Sequence, residues 1–113
     1  MHELSIMVHV VEIVEETARE NKVEKIDTLV LQIGEMASVV PQFIHACYPA
    51  VIEGTLLEDT KLEIEILPAN ALCKSCGKVY NLPQYGGVCP HCGSQDYEMI
   101  SGREFNIKEI VAY

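Results

Sequence analysis

Apolar residues recur at helical spacing from the start of the chain. Leu4, Met7, Val11, Val14 and Ala18 follow three- and four-residue steps, with Val8 and Val10 widening the stripe. Glu12, Glu15, Glu16, Arg19 and Glu20 fall largely on the other face. The pattern predicts an amphipathic helix over residues 3–21, with Asn21 as an end signal. Residues 26–33 change period: Leu29, Leu31 and Ile33 share one face of a predicted strand that Gly34 stops. Pro41 suits the first turn of a second helix, where its missing N–H is no loss. That helix is expected to reach about Ile52 and end at Gly54, burying Phe43, Ile44, Cys47 and Val51. Pro49 conflicts with it, because an internal proline removes a hydrogen bond and should kink or split the helix.

Residues 61–67 give the cleanest strand signal, with Leu62, Ile64 and Ile66 facing in and Lys61, Glu63 and Glu65 facing out. A cysteine-rich module follows over residues 69–102, in which residues 79–82 and 97–100 are expected to form short strands. Phe105, Ile107, Glu109 and Val111 then alternate to the C-terminus. A strand before the module and a strand after it make the module an insertion.

Four cysteines organise that insertion. Cys73 and Cys76 form one C-x2-C pair, Cys89 and Cys92 another, with twelve residues between the pairs. Two intervening residues let a tight turn aim both thiolates at one ion, and Gly77 and Gly93 permit the positive φ such a turn needs. Four sulfurs complete a tetrahedral shell with no open position, which makes the site structural rather than catalytic, with Zn2+ the expected metal. Two disulfides or a redox C-x-x-C would use the same residues; the doubled pairs and the lack of secretory features weigh against both. The expected architecture is therefore α+β: two helices on a small three-stranded mixed sheet, with an inserted zinc ribbon. Residues 1–68 plus 103–113 form the body domain, and residues 69–102 the ribbon domain.

Charge narrows the function. The net charge is −9, and residues 1–68 carry all of it, with thirteen acids against four bases. The ribbon offers only Lys74 and Lys78 within its knuckles, so a phosphate-gripping basic face is missing. Nucleic acid is not an expected partner. No apolar run is long enough to cross a bilayer, and Glu12, Glu15 and Glu16 interrupt the first apolar stretch, unlike a signal peptide. The expected compartment is the cytoplasm.

The start of the chain offers a second metal chemistry. A bulky His2 should leave Met1 in place, so the Met1 amine, the His2 amide and the His2 imidazole can close two fused chelate rings. Such nitrogens favour square-planar Ni(II) or Cu(II), and Glu3 could complete the shell through its amide or carboxylate. The ordinary alternative is an exposed chain end. His9 and His45 read as surface or satisfied core residues, His91 as a turn residue or an alternate zinc ligand, and Cys47 as a small buried apolar group.

Met1-His2-Glu3-Leu4-Ser5-Ile6, Leu31-Gln32-Ile33-Gly34-Glu35 and the cysteine quartet, together with Gly54-Thr55, resemble the HypA/HybF family of nickel metallochaperones in [NiFe]-hydrogenase maturation. The resemblance spans essentially the whole chain. It implies a non-enzymatic carrier that takes Ni(II) through Met1 and His2 with Glu3 nearby, beside a structural zinc on Cys73, Cys76, Cys89 and Cys92. It implies the GTPase HypB and the hydrogenase large-subunit precursor as partners. The sequence departs at Ser38-Val39-Val40-Pro41, where family members often carry an acidic residue. Two other classes use related knuckles: a rubredoxin-like iron electron carrier and a zinc-ribbon interaction module.

Overall fold

The computed structural model describes residues 3–112 and divides the chain into two compact units. Among the described residues the first comprises 3–32, 39–65 and 105–112, and the second 33–38 and 66–104. The order of the main elements is α1 (Glu3–Glu20), β1 (Ile26–Gly34), α2 (Pro41–Ile52), β2 (Lys61–Leu67), β3 (Asn70–Cys73), β4 (Val79–Asn81), α3 (Leu82–Tyr85), β5 (Tyr97–Met99) and β6 (Phe105–Ala112). The α+β class, the two long helices and the three-stranded sheet are as the pattern predicts.

In the first unit α1 buries Glu3, Met7, Val10, Val11, Val14 and Ala18. Leu4 and Val8 were expected in that stripe but are exposed. Glu3, one helical repeat before Met7, takes the inner position of the first turn, and its carboxylate accepts the Val40 N–H at 3.2 Å. The helix closes with a reversed turn: Lys22 adopts φ 56°, Val23 N–H donates to Ala18 C=O at 2.8 Å and Lys22 N–H to Arg19 C=O at 3.2 Å.

Helix α2 buries Ile44, Tyr48 and Ile52, a single i, i+4 row. This face is turned from the expected one, leaving Phe43 exposed and Cys47 and Val51 only partly covered. The helix is not split at Pro49. The carbonyl that loses its donor belongs to the exposed His45, where water can replace the missing hydrogen bond. Tyr48 Oη donates to Thr60 C=O at 3.0 Å and Thr60 Oγ1 to Ile26 C=O at 2.7 Å, which satisfies the buried polar groups between α2 and β1.

The sheet of this unit has the order β2-β1-β6. Its central strand β1 contributes Leu29 and Leu31, both fully buried. Burial on the outer strands is weaker than the alternation suggests. Ile66, expected to face in with Leu62 and Ile64, is instead exposed, near the end of an outer strand. In β6 the partly covered positions are Phe105, Ile107 and Ile110, with Val111 exposed. A strict period of two cannot place Ile107 and Ile110 alike, so the predicted alternation does not hold through the whole strand. Glu65 of β2 is held by Gln32 Nε2 of β1 at 3.1 Å and by Lys108 Nζ of β6 at 2.6 Å.

The second unit holds a three-stranded sheet of order β4-β3-β5, antiparallel throughout, with Ala71 opposite Tyr80 and Met99. Strands β4 and β5 fall within the expected segments; β3 and α3 were not anticipated. Helix α3 is capped by Asn81, whose side chain accepts the Gln84 N–H, and Gly86 ends it at φ 59°. Gly34 and Gly102 sit in backbone contact: a Cβ on Gly34 would lie 2.1 Å from Gly102 O, and one on Gly102 would lie 2.4 Å from Ala69 Cβ.

Candidate metal centre

The two knuckles are built alike. Cys73 ends β3; its N–H donates to Lys78 C=O at 2.9 Å and its C=O accepts Gly77 N–H at 2.9 Å. Cys89 repeats this, donating to Ser94 C=O at 2.9 Å and accepting Gly93 N–H at 2.8 Å. Gly77 and Gly93 both take φ 77°, the left-handed conformation that closes each turn. Ser75 Oγ donates to Ser94 Oγ at 2.9 Å, linking one knuckle to the other.

This geometry converges the four sulfurs of Cys73, Cys76, Cys89 and Cys92 to within 4.8 Å of one another. Cys73 and Cys92 lie 3.5 Å apart, and Cys76 and Cys89 3.7 Å. Zn–S bonds of about 2.3 Å in a tetrahedron require S···S edges of about 3.8 Å. The donor set and its spacing therefore fit a tetrathiolate zinc site with no vacant coordination position. Cys73 and Cys89 are buried, whereas Cys76 and Cys92 reach the surface.

The thiols influence one another's charge. Backbone hydrogen bonding from Cys76, then Ser75, outweighs burial and holds Cys73 down to about 6. At Cys92 the Ser94 backbone pulls down, yet the neighbouring sulfurs of Cys73, Cys76 and Cys89 together with burial raise it to about 12. One sulfur ionises readily and another resists, as four crowded thiols must without a cation to balance them.

The buried cluster beneath the sulfurs contains Ala71, Cys73, Tyr80, Leu82 and Cys89. Tyr80 meets Tyr85 and Tyr97 edge to face, with centroids 6.2 and 6.5 Å apart. Burial, then the charges of Cys89 and Cys73, push its phenol upward. Sequence reasoning did not single out Tyr80. Its position between the two pairs, on a predicted strand just after the first knuckle, was the available signal.

The other candidates are placed as follows. Met1 and His2, the proposed nickel ligands, lie outside the described residues. Glu3 opens α1 with its carboxylate turned to Val40 N–H. Cys47 is partly buried and its Sγ lies 3.5 Å from Ile44 C=O. Burial raises its thiol, with the nearby Glu3 charge adding to the rise, which is the opposite of activation. His9, His45 and His91 are exposed, and His91 N–H points at Cys89 Sγ from 3.4 Å.

The fold and the four gathered sulfurs define an α+β protein with a zinc-ribbon-like cluster suited to a structural metal. Comparison with known proteins sharpens that class. The family described as "Hydrogenase/urease nickel incorporation, metallochaperone, hypA" matches residues 1–112, and the chain belongs to this HypA family. It is 37% identical over 110 residues to a hydrogenase maturation factor HypA of Acidithiobacillus ferrooxidans, covering 97% of each chain. Against the factor of the same name from Geobacter metallireducens it is 40% identical, again over 97% of each. The solution structure of the Ni metallochaperone HypA from Helicobacter pylori superposes with a TM-score of 0.68 at 26% identity, covering 99% of this chain and 97% of that one. The family is one of metallochaperones, maturation factors rather than catalysts. No helix among the described residues is long and apolar enough to cross a membrane.

Proposed function

We propose that this chain is a cytoplasmic nickel carrier that binds Ni(II) at its N-terminus and passes it to the [NiFe]-hydrogenase large-subunit precursor, working with the GTPase HypB. Residues 1–68 with 103–113 act as the nickel-binding domain, and residues 69–102 as the zinc-binding one. The Met1 amine, the His2 amide and the His2 imidazole supply the nickel donors, with Glu3 adjacent. Cys73, Cys76, Cys89 and Cys92 hold a resident Zn2+ that fixes the two knuckles. The protein performs no catalysis of its own.

The observation that carries this reading is the contrast between its two donor sets. The four cysteine sulfurs sit on hydrogen-bonded turns within 4.8 Å of one another, a closed donor set that suits a metal that stays. The nitrogen donors belong to the chain end just before Glu3, whose carboxylate anchors the first turn of α1 to the start of α2. A site made from a chain end can be dismantled by moving two residues, which suits a metal that leaves.

Titration of Ni(II) into three zinc-loaded proteins tests the reading: native, His2→Ala, and a form with one residue added ahead of Met1. Both changes should abolish one-to-one binding, the first by removing the ring, the second by displacing the amine. Undiminished binding by the extended form sinks the terminal site. Metal analysis of purified protein separates the iron carrier, because a tetrathiolate Fe(III) protein is red and a zinc protein colourless.

A further inference from the structure

Two apolar cavities open along the seam between α1 and β6. One, of about 330 Å³, is lined by Ile6, His9 and Ile13 of the helix and Phe105 and Ile107 of the strand. The other, of about 190 Å³, is lined by Thr17, Ala18 and Asn21 and by Ile110 and Ala112. Helix and strand thus advance in the same sense. Their cavities lie roughly 15 Å apart, whether counted at 1.5 Å per helical residue or 3.3 Å per strand residue. β6 is an outer strand of β2-β1-β6, so among the described residues its far edge has no neighbour. The rim is acidic. Ile6, His9, Ile13, Glu16 and Glu20 succeed one another at three- and four-residue steps, which aligns them on one helical face. Glu16 and Glu20 are both exposed there.

We infer that this seam is a docking groove for an extended, basic and apolar segment of a partner polypeptide. Each feature selects one property of the occupant. The unpaired edge of β6 calls for an extended backbone that adds a strand. The two cavities take apolar side chains from one side of that strand, roughly four to six residues apart. The acidic rim selects lysine or arginine among them. A second copy of this chain fits poorly, because its own alternating stretch, Lys61-Leu62-Glu63-Ile64-Glu65-Ile66-Leu67, presents mainly acids to an acidic rim. An anionic membrane surface is repelled by the same charges. None of the groove residues belongs to either metal site, so the groove and the nickel reading stand or fall separately.

The test uses the zinc-loaded full chain and a short synthetic peptide alternating lysine with isoleucine, followed by amide chemical shifts. One-to-one binding should perturb α1 and β6 on both sides of the seam. Ile13→Ser, at a position already 39% exposed, should weaken binding roughly tenfold. Glu16→Lys combined with Glu20→Lys should weaken it as much and remove most of its salt dependence. Equal binding of a lysine–serine peptide would show charge alone at work and overturn the groove. So would shifts confined to other surfaces, shifts produced by concentrating the protein without peptide, or binding to anionic vesicles.

Discussion

The Glu3 carboxylate accepts the backbone N–H of Val40 at 3.2 Å, joining the first residue of α1 to the N-cap of α2. Val40 offers no side-chain cap of its own, so the interaction secures the entry of α2 from outside. Glu3→Ala leaves a half-buried N–H without its acceptor and should cost about 1–2 kcal/mol of stability in urea unfolding. Glu3→Gln keeps an acceptor oxygen and should lose less. Equal stability of all three proteins would show that the contact contributes nothing.

The knuckles should depend on their ion. The second unit offers a small buried cluster that includes two of the ligands themselves, Cys73 and Cys89. Metal binding therefore supplies much of the folding free energy there. Chelation, Cys73→Ser or Cys92→Ser should strip hydrogen-exchange protection from residues 70–99 and leave Leu29 and Leu31 of β1 protected. Unchanged protection across the knuckles without metal would refute this.

The polar bridge across the first sheet gives a pH signature. Lys108 and Gln32 lower the Glu65 carboxyl, and Glu65 raises the Lys108 ammonium. The Glu65 contribution is present above the ordinary carboxylate range and fades as pH falls through its lowered folded value. The Lys108 contribution is present below the ordinary lysine range and fades as pH rises through its raised value. Lys108→Met should therefore destabilise slightly near neutral pH, less in high salt, and not at all in acid. A stability difference that persists unchanged into acid would assign the effect to packing of the lysine stem.

Gly34 and Gly102 interlock through their missing side chains. Gly102 has φ 118° and its absent Cβ would meet both Ala69 Cβ and Ala69 Cα, at 2.4 and 2.5 Å. Gly34 would strike the Gly102 carbonyl. Backbone cannot retreat as a flexible side chain can, so Gly34→Ala or Gly102→Ala should each cost about 2 kcal/mol or more. Thermal melts of the zinc-loaded proteins check it, and a loss well below that size would mean the backbone yields.

These glycines also mark where sequence reading stops. Gly34 announces the end of β1, but nothing local reveals that its neighbour in space is Gly102. Patterns set by one repeat were legible: the Met7-Val11-Val14-Ala18 stripe, the Pro41 start of α2 and the paired knuckles all stand as expected. Patterns decided by a partner were not. Glu3 and not Leu4 takes the inner face, where its carboxylate accepts the Val40 N–H. The α2 face that turns inward carries Tyr48, whose hydroxyl donates a hydrogen bond to Thr60 C=O. β3 and α3 are four residues each, too short for periodicity to register, although Asn81 ahead of Leu82-Pro83 is a readable cap.

Tyr80 supplies a test in which removing a polar atom should do no harm. Its residue is 5% exposed, and its hydroxyl has no hydrogen-bond partner among the described residues. A buried hydroxyl without a partner carries its desolvation penalty uncompensated, while the ring earns its place by edge contacts to Tyr85 and Tyr97. Tyr80→Phe keeps the ring and deletes the penalty, so the zinc-loaded protein should be as stable as native or more stable by up to about 1 kcal/mol. Tyr80→Ala deletes the ring, and about 3–5 kcal/mol should be lost. Urea unfolding followed by release of zinc to a coloured chelator reads both variants. If Tyr80→Phe releases zinc markedly faster than native, the hydroxyl supports the thiolates in the loaded state and is not a mere burial cost.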